Sequence, residues 1–484
     1  HRKDIIFMIE LLKAALFGLV EGVTEWLPVS STGHMILLNE FVKLNVSEEF
    51  SSMFDVVIQL GAILAVIVLF FHKLNPFAPS KSVSEKKQTW DLWFKVIAAI
   101  IPSGVVGILL DDWMDAHLHN AIVVSVALIV YGIAFLVVEK GNHKARRHIG
   151  DVHEIDYKTA LLIGAFQCLS LVPGTSRSGS TILGAILIGV ARPAGAEFSF
   201  FMAIPTMLGA SAIKLLKFFL ETGFGMTGME FAILLTGMIV SFIVSLLVIK
   251  GLMEYVRKHT FSLFGVYRIL LGMIVLDILA PIFLMIGISR TTAANASLLN
   301  NFEIVATSMI ALAIFRERIS GRLWLAIGLV TLSSIVLSLE GGGNLQFSLG
   351  SLLVLLACCC WGLENNCTRA LSEKDPLEIV VVKGFGSGLG AMIVALVCGE
   401  HLPALLPALG ALALGFVAYG LSIFFYIYAQ RTLGAAKTST WYAISPFIGV
   451  GLSLVIFRQL PGLMFWVALA IMAAGAYFAA TDGQ

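Results

Sequence analysis

Charge is what this chain has least of. Its 32 Lys and Arg and 31 Asp and Glu make 13% of 484 residues, against 58% hydrophobic, and mean hydropathy is +0.92. Soluble domains carry roughly 25% charge, so a soluble enzyme is excluded and a polytopic membrane protein is expected. A formal net charge of +1 and the lack of any long charge run leave no basic surface for nucleic acid. Cysteine is scarce as well. Cys168, Cys358, Cys359, Cys360, Cys367 and Cys398 all lie in apolar stretches, and three helical neighbours cannot converge on one metal. A disulfide framework and a zinc site are therefore excluded. Residues 1 to 17 lack a small-residue cleavage site and hold Lys13 within their apolar part, so they read as a first helix, not a signal peptide.

What is present is long apolar runs. With a window suited to a bilayer of about 30 Å, thirteen candidate spans emerge. They lie near 53–71, 92–111, 120–139, 196–217, 229–250 and 262–288, then 294–315, 322–340, 347–369, 377–398, 404–430, 433–457 and 461–480. Lys and Arg concentrate between Lys73 and Lys87, Lys140 and Lys158, and Lys250 and Lys258, and these loops are placed in the cytoplasm. The acidic connection Asp111-Asp112-Trp113-Met114-Asp115 goes outside.

Two regions do not fit as spans. Residues 159–172 and 181–190 flank Pro173-Gly174-Thr175-Ser176-Arg177-Ser178-Gly179-Ser180, and at roughly 1.5 Å per residue each reaches about half the membrane. Residues 5–27 and 35–45 frame Pro28-Val29-Ser30-Ser31-Thr32-Gly33-His34 in the same way. The loop charges make the segments 5–27 and 35–45 enter from outside, and the segments 159–172 and 181–190 from the cytoplasm. The expected fold is all-α and polytopic: an inverted repeat with two re-entrant helical hairpins plus six spans, then about seven further transmembrane helices. A weak internal match of Gly18, Glu21 and Pro28 with Gly164, Gln167 and Pro173 supports the repeat. Such repeats with interrupted helices build intramembrane anion sites, so the two tips are expected to meet and to carry the chemistry.

The residue types at the tips are those of a phosphate site. Glu21 and Glu25, four apart, share a helix face; His34 follows a hydroxyl-rich turn, and Arg177 sits opposite among Ser176, Ser178 and Thr181. An unpaired charge at this depth costs several kcal/mol, which disfavours mere packing. The plainer alternative is that Glu21, Glu25, His34 and Arg177 only neutralise one another, and that the hydroxyls only cap helices. In the functional reading, half-helix N–H groups and the Arg fork grip phosphate oxygens. The carboxylate pair holds magnesium or calcium, or takes a proton, and a serine beside a histidine is a nucleophile with its base. Paired aspartates of a prenyltransferase are absent, as is a second His spaced as in soluble acid phosphatases.

Through Glu21-Gly22-Val23-Thr24-Glu25-Trp26-Leu27-Pro28-Val29-Ser30-Ser31-Thr32-Gly33-His34 and Pro173-Gly174-Thr175-Ser176-Arg177-Ser178-Gly179-Ser180-Thr181, residues 8 to about 276 resemble the undecaprenyl-pyrophosphate phosphatase family. The resemblance implies hydrolysis of undecaprenyl pyrophosphate, the lipid carrier of cell-wall precursors, with a divalent cation. It implies a multi-pass protein of the bacterial inner membrane with its site open to the outer face. Ser31 is then the favoured nucleophile, with His34 the alternative. Glu21, Glu25 and His34 are catalytic, Arg177 grips phosphate, and Ser30, Thr32, Gly33, Ser176, Ser178 and Thr181 complete the phosphate cradle. Glu21 and Glu25 are the metal ligands.

The remainder resembles a different family. Residues 293–316 align without a gap to 435–458, sharing Ala293/Ala435, Ala294/Ala436, Ser297/Ser439, Leu312/Leu454, Ile314/Ile456, Phe315/Phe457 and Arg316/Arg458. With Thr291-Thr292-Ala293-Ala294-Asn295-Ala296-Ser297 and Phe315-Arg316-Glu317-Arg318-Ile319-Ser320, this resembles the drug/metabolite transporter superfamily, whose members have two inverted five-helix repeats. Two helices of the first repeat are missing, and a third is shared with the phosphatase part over 262–288. Domains are expected at 1–280 and 281–484, with the C-terminus cytoplasmic. Glu303, Glu364 and Lys383 are the polar candidates for a lipid head-group route, or else snorkel or pair. A rival for the whole chain is a transporter or lipid flippase whose tip site only binds phosphate.

Overall fold

The computed structural model describes residues 2–118, 121–141, 149–223, 225–290, 299–300, 302–315, 317–339, 349–372, 375–397, 404–442 and 463–481. Among them there is no β-strand, only an isolated bridge between Ile149 and Val190. Nine described helices are long and apolar enough to cross a membrane, and the protein is an all-α integral membrane protein. The chain divides into two compact units, His1–Gly272 and Met273–Gln484, and the boundary falls inside one continuous helix, Ser262–Ser289.

Six of the nine spans match the six expected of the first part: Glu48–Leu69, Val83–Leu110, Val123–Gly141, Arg192–Thr222, Gly228–Lys258 and Ser262–Ser289. Three more, Leu349–Leu371, Pro376–Leu396 and Leu405–Leu433, follow. The helices Phe302–Ala313, Gly321–Leu339 and Leu463–Ala480 occupy three further expected positions. Of the span expected at 433–457, residues 443–457 lie outside the described residues, as does most of the 293–316 and 435–458 match.

The tip helices depart from expectation at their starts. They begin at Ser31 and Arg177, four residues earlier than the hydropathy suggests. The cause is capping: Ser30 Oγ accepts from Gly33 N at 3.2 Å, and Ser176 Oγ accepts from Gly179 N at 3.0 Å. The two arms before the tips also differ in length. Arg2–Thr24 has 23 residues, whereas Tyr157–Gln167 has 11, followed by a short 3₁₀ turn, Cys168–Leu171.

The matched glycines Gly18 and Gly164 have one physical role. Arg2–Thr24 packs along Gly228–Lys258 and Tyr157–Gln167 along Val83–Leu118, and each glycine marks the closest approach. A Cβ on Gly18 would lie 2.4 Å from Gly237 O, and one on Gly164 would lie 1.9 Å from Ala99 O. Small residues that let helix backbones touch are the usual device in membranes, where apolar surface alone gives no preference for protein over lipid. Gly164→Ala should therefore force the two helices apart and destabilise the protein by about 1–3 kcal/mol, read as a lower unfolding temperature in detergent. An unchanged transition would mean the contact yields without strain.

Candidate functional site

The two tips meet. Arg177, first residue of its helix, reaches Glu25 on the other tip, with Nη2 at 3.0 Å and Nε at 3.3 Å from Oε1. Its Nη1 donates to Ser199 O at 2.8 Å, and the guanidinium lies 5.9 Å from the centre of the buried Trp26 ring. Ser178 Oγ adds two links across the junction, to Glu25 O at 3.1 Å and Leu27 O at 3.2 Å. The other oxygen of Glu25 accepts from Ser31 Oγ at 2.5 Å. One buried carboxylate thus holds an arginine on one oxygen and a serine hydroxyl on the other.

The serine partner differs from the sequence expectation. His34 does not serve Ser31: its Nδ1 lies 2.7 Å from Ser30 O and its Nε2 2.7 Å from Tyr267 Oη, with the two rings stacked. A carbonyl can only accept, so Nδ1 carries hydrogen, and a neutral Nε2 accepts from the Tyr267 hydroxyl. Position i+3 on the same helix put His34 beside Ser31 in sequence. The fold instead brings Glu25 back over the start of that helix.

Glu21 is the least satisfied group in the junction. It is fully buried, and neither carboxylate oxygen has a hydrogen-bond partner. Glu25 and Asp55 are its carboxylate neighbours and Arg177 its cationic one. Asp55 accepts from Asn39 Nδ2 at 3.0 Å and was not singled out by the sequence. A buried acceptor pair without donors calls for a cation or a proton, so the donor set fits a hard divalent ion that takes oxygen ligands and keeps waters or substrate phosphates as the rest. Among the described residues no three His, Cys, Asp or Glu side chains converge on one point, so Glu21 and Glu25 would be the protein's share of such a site.

The remaining cradle residues divide. Thr181 Oγ1 is committed to Arg177 O and to Ser199 Oγ at 2.6 Å, and with Ser178 it ties protein to protein. Ser176 Oγ pairs with Ser178 Oγ as well as capping its helix, and Ser30 caps the other. Thr32 is exposed. Gly33 is tightly enclosed, since a Cβ there would lie 3.1 Å from Val124 Cγ1 and 3.2 Å from the capping Ser30 Oγ.

Ser30 and Ser176 share a φ of +73°, the only described non-glycine residues with positive φ. Such backbone costs about 1–3 kcal/mol and persists where surrounding structure fixes it. The shared geometry also fixes the repeat offset at 146 residues, which aligns Ser30 with Ser176 and Gly33 with Gly179. Pro28 therefore corresponds to Gly174, one residue on from the Pro173 that the sequence match suggested.

Arg268 makes that correspondence visible, and sequence reasoning passed over it. Fully buried, it donates from Nη1 to Pro28 O at 2.9 Å, and from Nη2 to Gly174 O at 2.6 Å and Thr175 O at 2.9 Å. One guanidinium pins the equivalent carbonyls of both tips, while its centre lies 5.3 Å from the Tyr131 ring centre. Its signal was present: an arginine inside the run 262–288, whose only other charge is Asp277, where an ionic group is expensive and marks a function. Arg268→Met should leave buried carbonyls without donors. We expect a lowered unfolding temperature together with turnover reduced at least tenfold; full activity would remove Arg268 from the positioning of the tips.

The fold and the junction define a class: an integral membrane protein in which two tips contribute unlike halves, carboxylates and serine from one and arginine from the other, to one buried polar junction. The comparisons agree. Residues 14–274 match the family model for bacitracin resistance protein BacA, and the chain belongs to that family. It is 58% identical over 269 residues to the undecaprenyl-diphosphatase of Limosilactobacillus fermentum, covering 56% of this chain and 97% of that protein. Identity is also 58% over 269 residues with undecaprenyl-diphosphatase 1 of Clostridioides difficile (56% of this chain, 96% of that protein), and over 274 residues with the undecaprenyl-diphosphatase of Enterococcus faecalis (56% and 98%). Separately, residues 348–481 match the model of the EamA-like transporter family.

Proposed function

We infer that this protein hydrolyses undecaprenyl pyrophosphate to undecaprenyl phosphate and inorganic phosphate, recycling the cell-wall lipid carrier and conferring bacitracin resistance. The observation that carries the reading is the single carboxylate of Glu25, bonded to Ser31 Oγ on one oxygen and to Arg177 on the other. That is a nucleophile with its base, next to a guanidinium suited to phosphoryl oxygens. A transporter that only binds phosphate has no use for the first of these.

In the proposed reaction, Ser31 Oγ attacks the terminal phosphorus and its proton passes to Glu25. The bond from that phosphorus to the bridging oxygen breaks, and undecaprenyl phosphate departs with the electron pair and the proton. Glu25 then takes a proton from the water that cleaves the phosphoserine and returns it to Ser31 Oγ. Arg177 exchanges Glu25 for the phosphoryl oxygens, where charge develops. His34, its Nδ1 at Ser30 O and its Nε2 at Tyr267, orients the turn that presents Ser31. The N–H groups at the starts of the tip helices face the same charge.

A divalent cation, magnesium or calcium, held by Glu21 and Glu25 would neutralise charge that these carboxylates otherwise turn against a polyanionic substrate. Glu21→Gln should accordingly remove most of the stimulation by added magnesium or calcium while leaving a measurable basal rate; unchanged stimulation would place the cation on the pyrophosphate alone. The basic loops support a site open to the outer face of the bacterial inner membrane, a cytoplasmic C-terminus and hairpins that enter from opposite faces. The reading is tested by phosphate release from undecaprenyl pyrophosphate by the purified full-length chain, with and without chelator. Release that the chelator suppresses supports it, and binding without release would leave only the transporter.

A further inference from the structure

The buried charges of the second unit answer one another. Lys383 Nζ donates to Glu364 Oε1 at 2.5 Å and lies 3.4 Å from Asp277 Oδ2, Thr368 Oγ1 donates to Glu364, and Asn365 Nδ2 donates to Glu303 Oε1 at 2.9 Å. Unpaired positive charge is found in the first unit, around a cavity of about 470 Å³. Three cations line it, Lys250, Arg257 and Lys258, together with the carboxylates Glu197 and Glu254. The cavity lies where three spans that pack on one another end on the same side: Glu48–Leu69 and Gly228–Lys258 finish there, and Arg192–Thr222 starts.

The two carboxylates do not use up the positive charge. Glu197 is held by Lys73 Nζ at 2.6 Å, and Glu254 lies 3.7 Å from Lys258 Nζ. Lys250 and Arg257 have no hydrogen bond or ion pair among the described residues. They stand at i and i+7 of one helix, with Met253 and Glu254 between them at i+3 and i+4, so both belong to the face that the cavity meets. With Lys73 counted, four cations stand against two carboxylates, and the site is short of negative charge. The rest of the lining asks for something else. Leu69 and Phe70 are half-buried beside Ile249 and Met253, and a small hydrated anion would leave their apolar surface wet. One molecule that meets both demands has an anionic head and a hydrocarbon tail. Depth agrees, because the cations occupy the last turns of a span, where hydrocarbon gives way to head groups, and basic pockets between spans are a known way to hold anionic lipid.

We propose that this cavity binds one anionic phospholipid, its phosphodiester between Lys250 and Arg257 and an acyl chain against Leu69 and Phe70. On the orientation that the basic loops support, the lipid comes from the cytoplasmic leaflet. The inference is independent of the phosphatase reading. Its test uses full-length protein in detergent, titrated with phosphatidylglycerol or phosphatidylcholine, with bound lipid counted by native mass spectrometry. One phosphatidylglycerol should be held about tenfold more tightly than phosphatidylcholine and should resist inorganic phosphate. Lys250→Gln with Arg257→Gln, two exposed positions, checked for a monodisperse elution profile, should abolish the preference. Lys86→Gln with Lys87→Gln removes the same charge from another basic loop, away from the cavity, and should preserve it. Equal retention of the two lipids by the unaltered protein, an unchanged preference in the folded cavity variant, an equal loss in the Lys86 and Lys87 variant, or displacement by phosphate would overturn the proposal.

Discussion

Arg177→Ala is expected to reduce phosphate release by about 10²–10³-fold, the scale seen when one preorganised charge-stabilising donor is removed. Arg177→Lys should fare little better. The observed arginine reaches Glu25 through two nitrogens while a third holds Ser199 O, and an ammonium is a point charge that cannot reproduce a planar fork. The lysine variant also separates chemistry from simple neutralisation. If Arg177 served only to balance Glu25 in the membrane, lysine would suffice and turnover would stay near normal.

Ser31→Ala and Glu25→Gln should each lower turnover by about three orders of magnitude or more, and the double variant should be hardly worse than either. Groups that act as one unit are strongly non-additive, because removing the base already idles the nucleophile. The 2.5 Å contact between Ser31 Oγ and Glu25 Oε2 is the basis for treating them as one. Multiplicative losses, measured as initial rates of phosphate release, would mean that the two side chains act in different steps. Near-normal turnover in Ser31→Ala would return the nucleophile to His34.

Much of the junction could be read from sequence because charge is so costly in an apolar chain. Glu21, Glu25 and Arg177 stand out against their surroundings, and the breaks in the apolar segments at Pro28 and Pro173 marked the tips. What could not be read is how the tips interlock. Composition cannot tell that Glu25, not His34, comes back over Ser31, because that depends on the turn from Thr24 to Ser30 and on the positive φ of Ser30. Capping by Ser30 and Ser176 was also hidden, since Ser-x-x-Gly looks like loop until the helix start is known. Arg268 and Asp277 were lost for the opposite reason. Both lie inside one long apolar run, and averaging over the window diluted the two residues that matter most in it. In the second unit Glu303, Glu364 and Lys383 were visible as charges, but their pairing with Asn365, Thr368 and Asp277 is a tertiary fact.

The central claim is that Ser31, activated by Glu25, attacks phosphorus at the meeting point of the two tips. It is tested most directly by mixing the full-length protein with undecaprenyl pyrophosphate labelled with ³²P on the terminal phosphate, quenching within a single turnover, and locating the label by peptide mapping. Acid-stable label on Ser31, absent from Ser31→Ala and from Glu25→Gln, is the predicted result. Acid-labile label on His34, or turnover at full rate in Ser31→Ala, would contradict it.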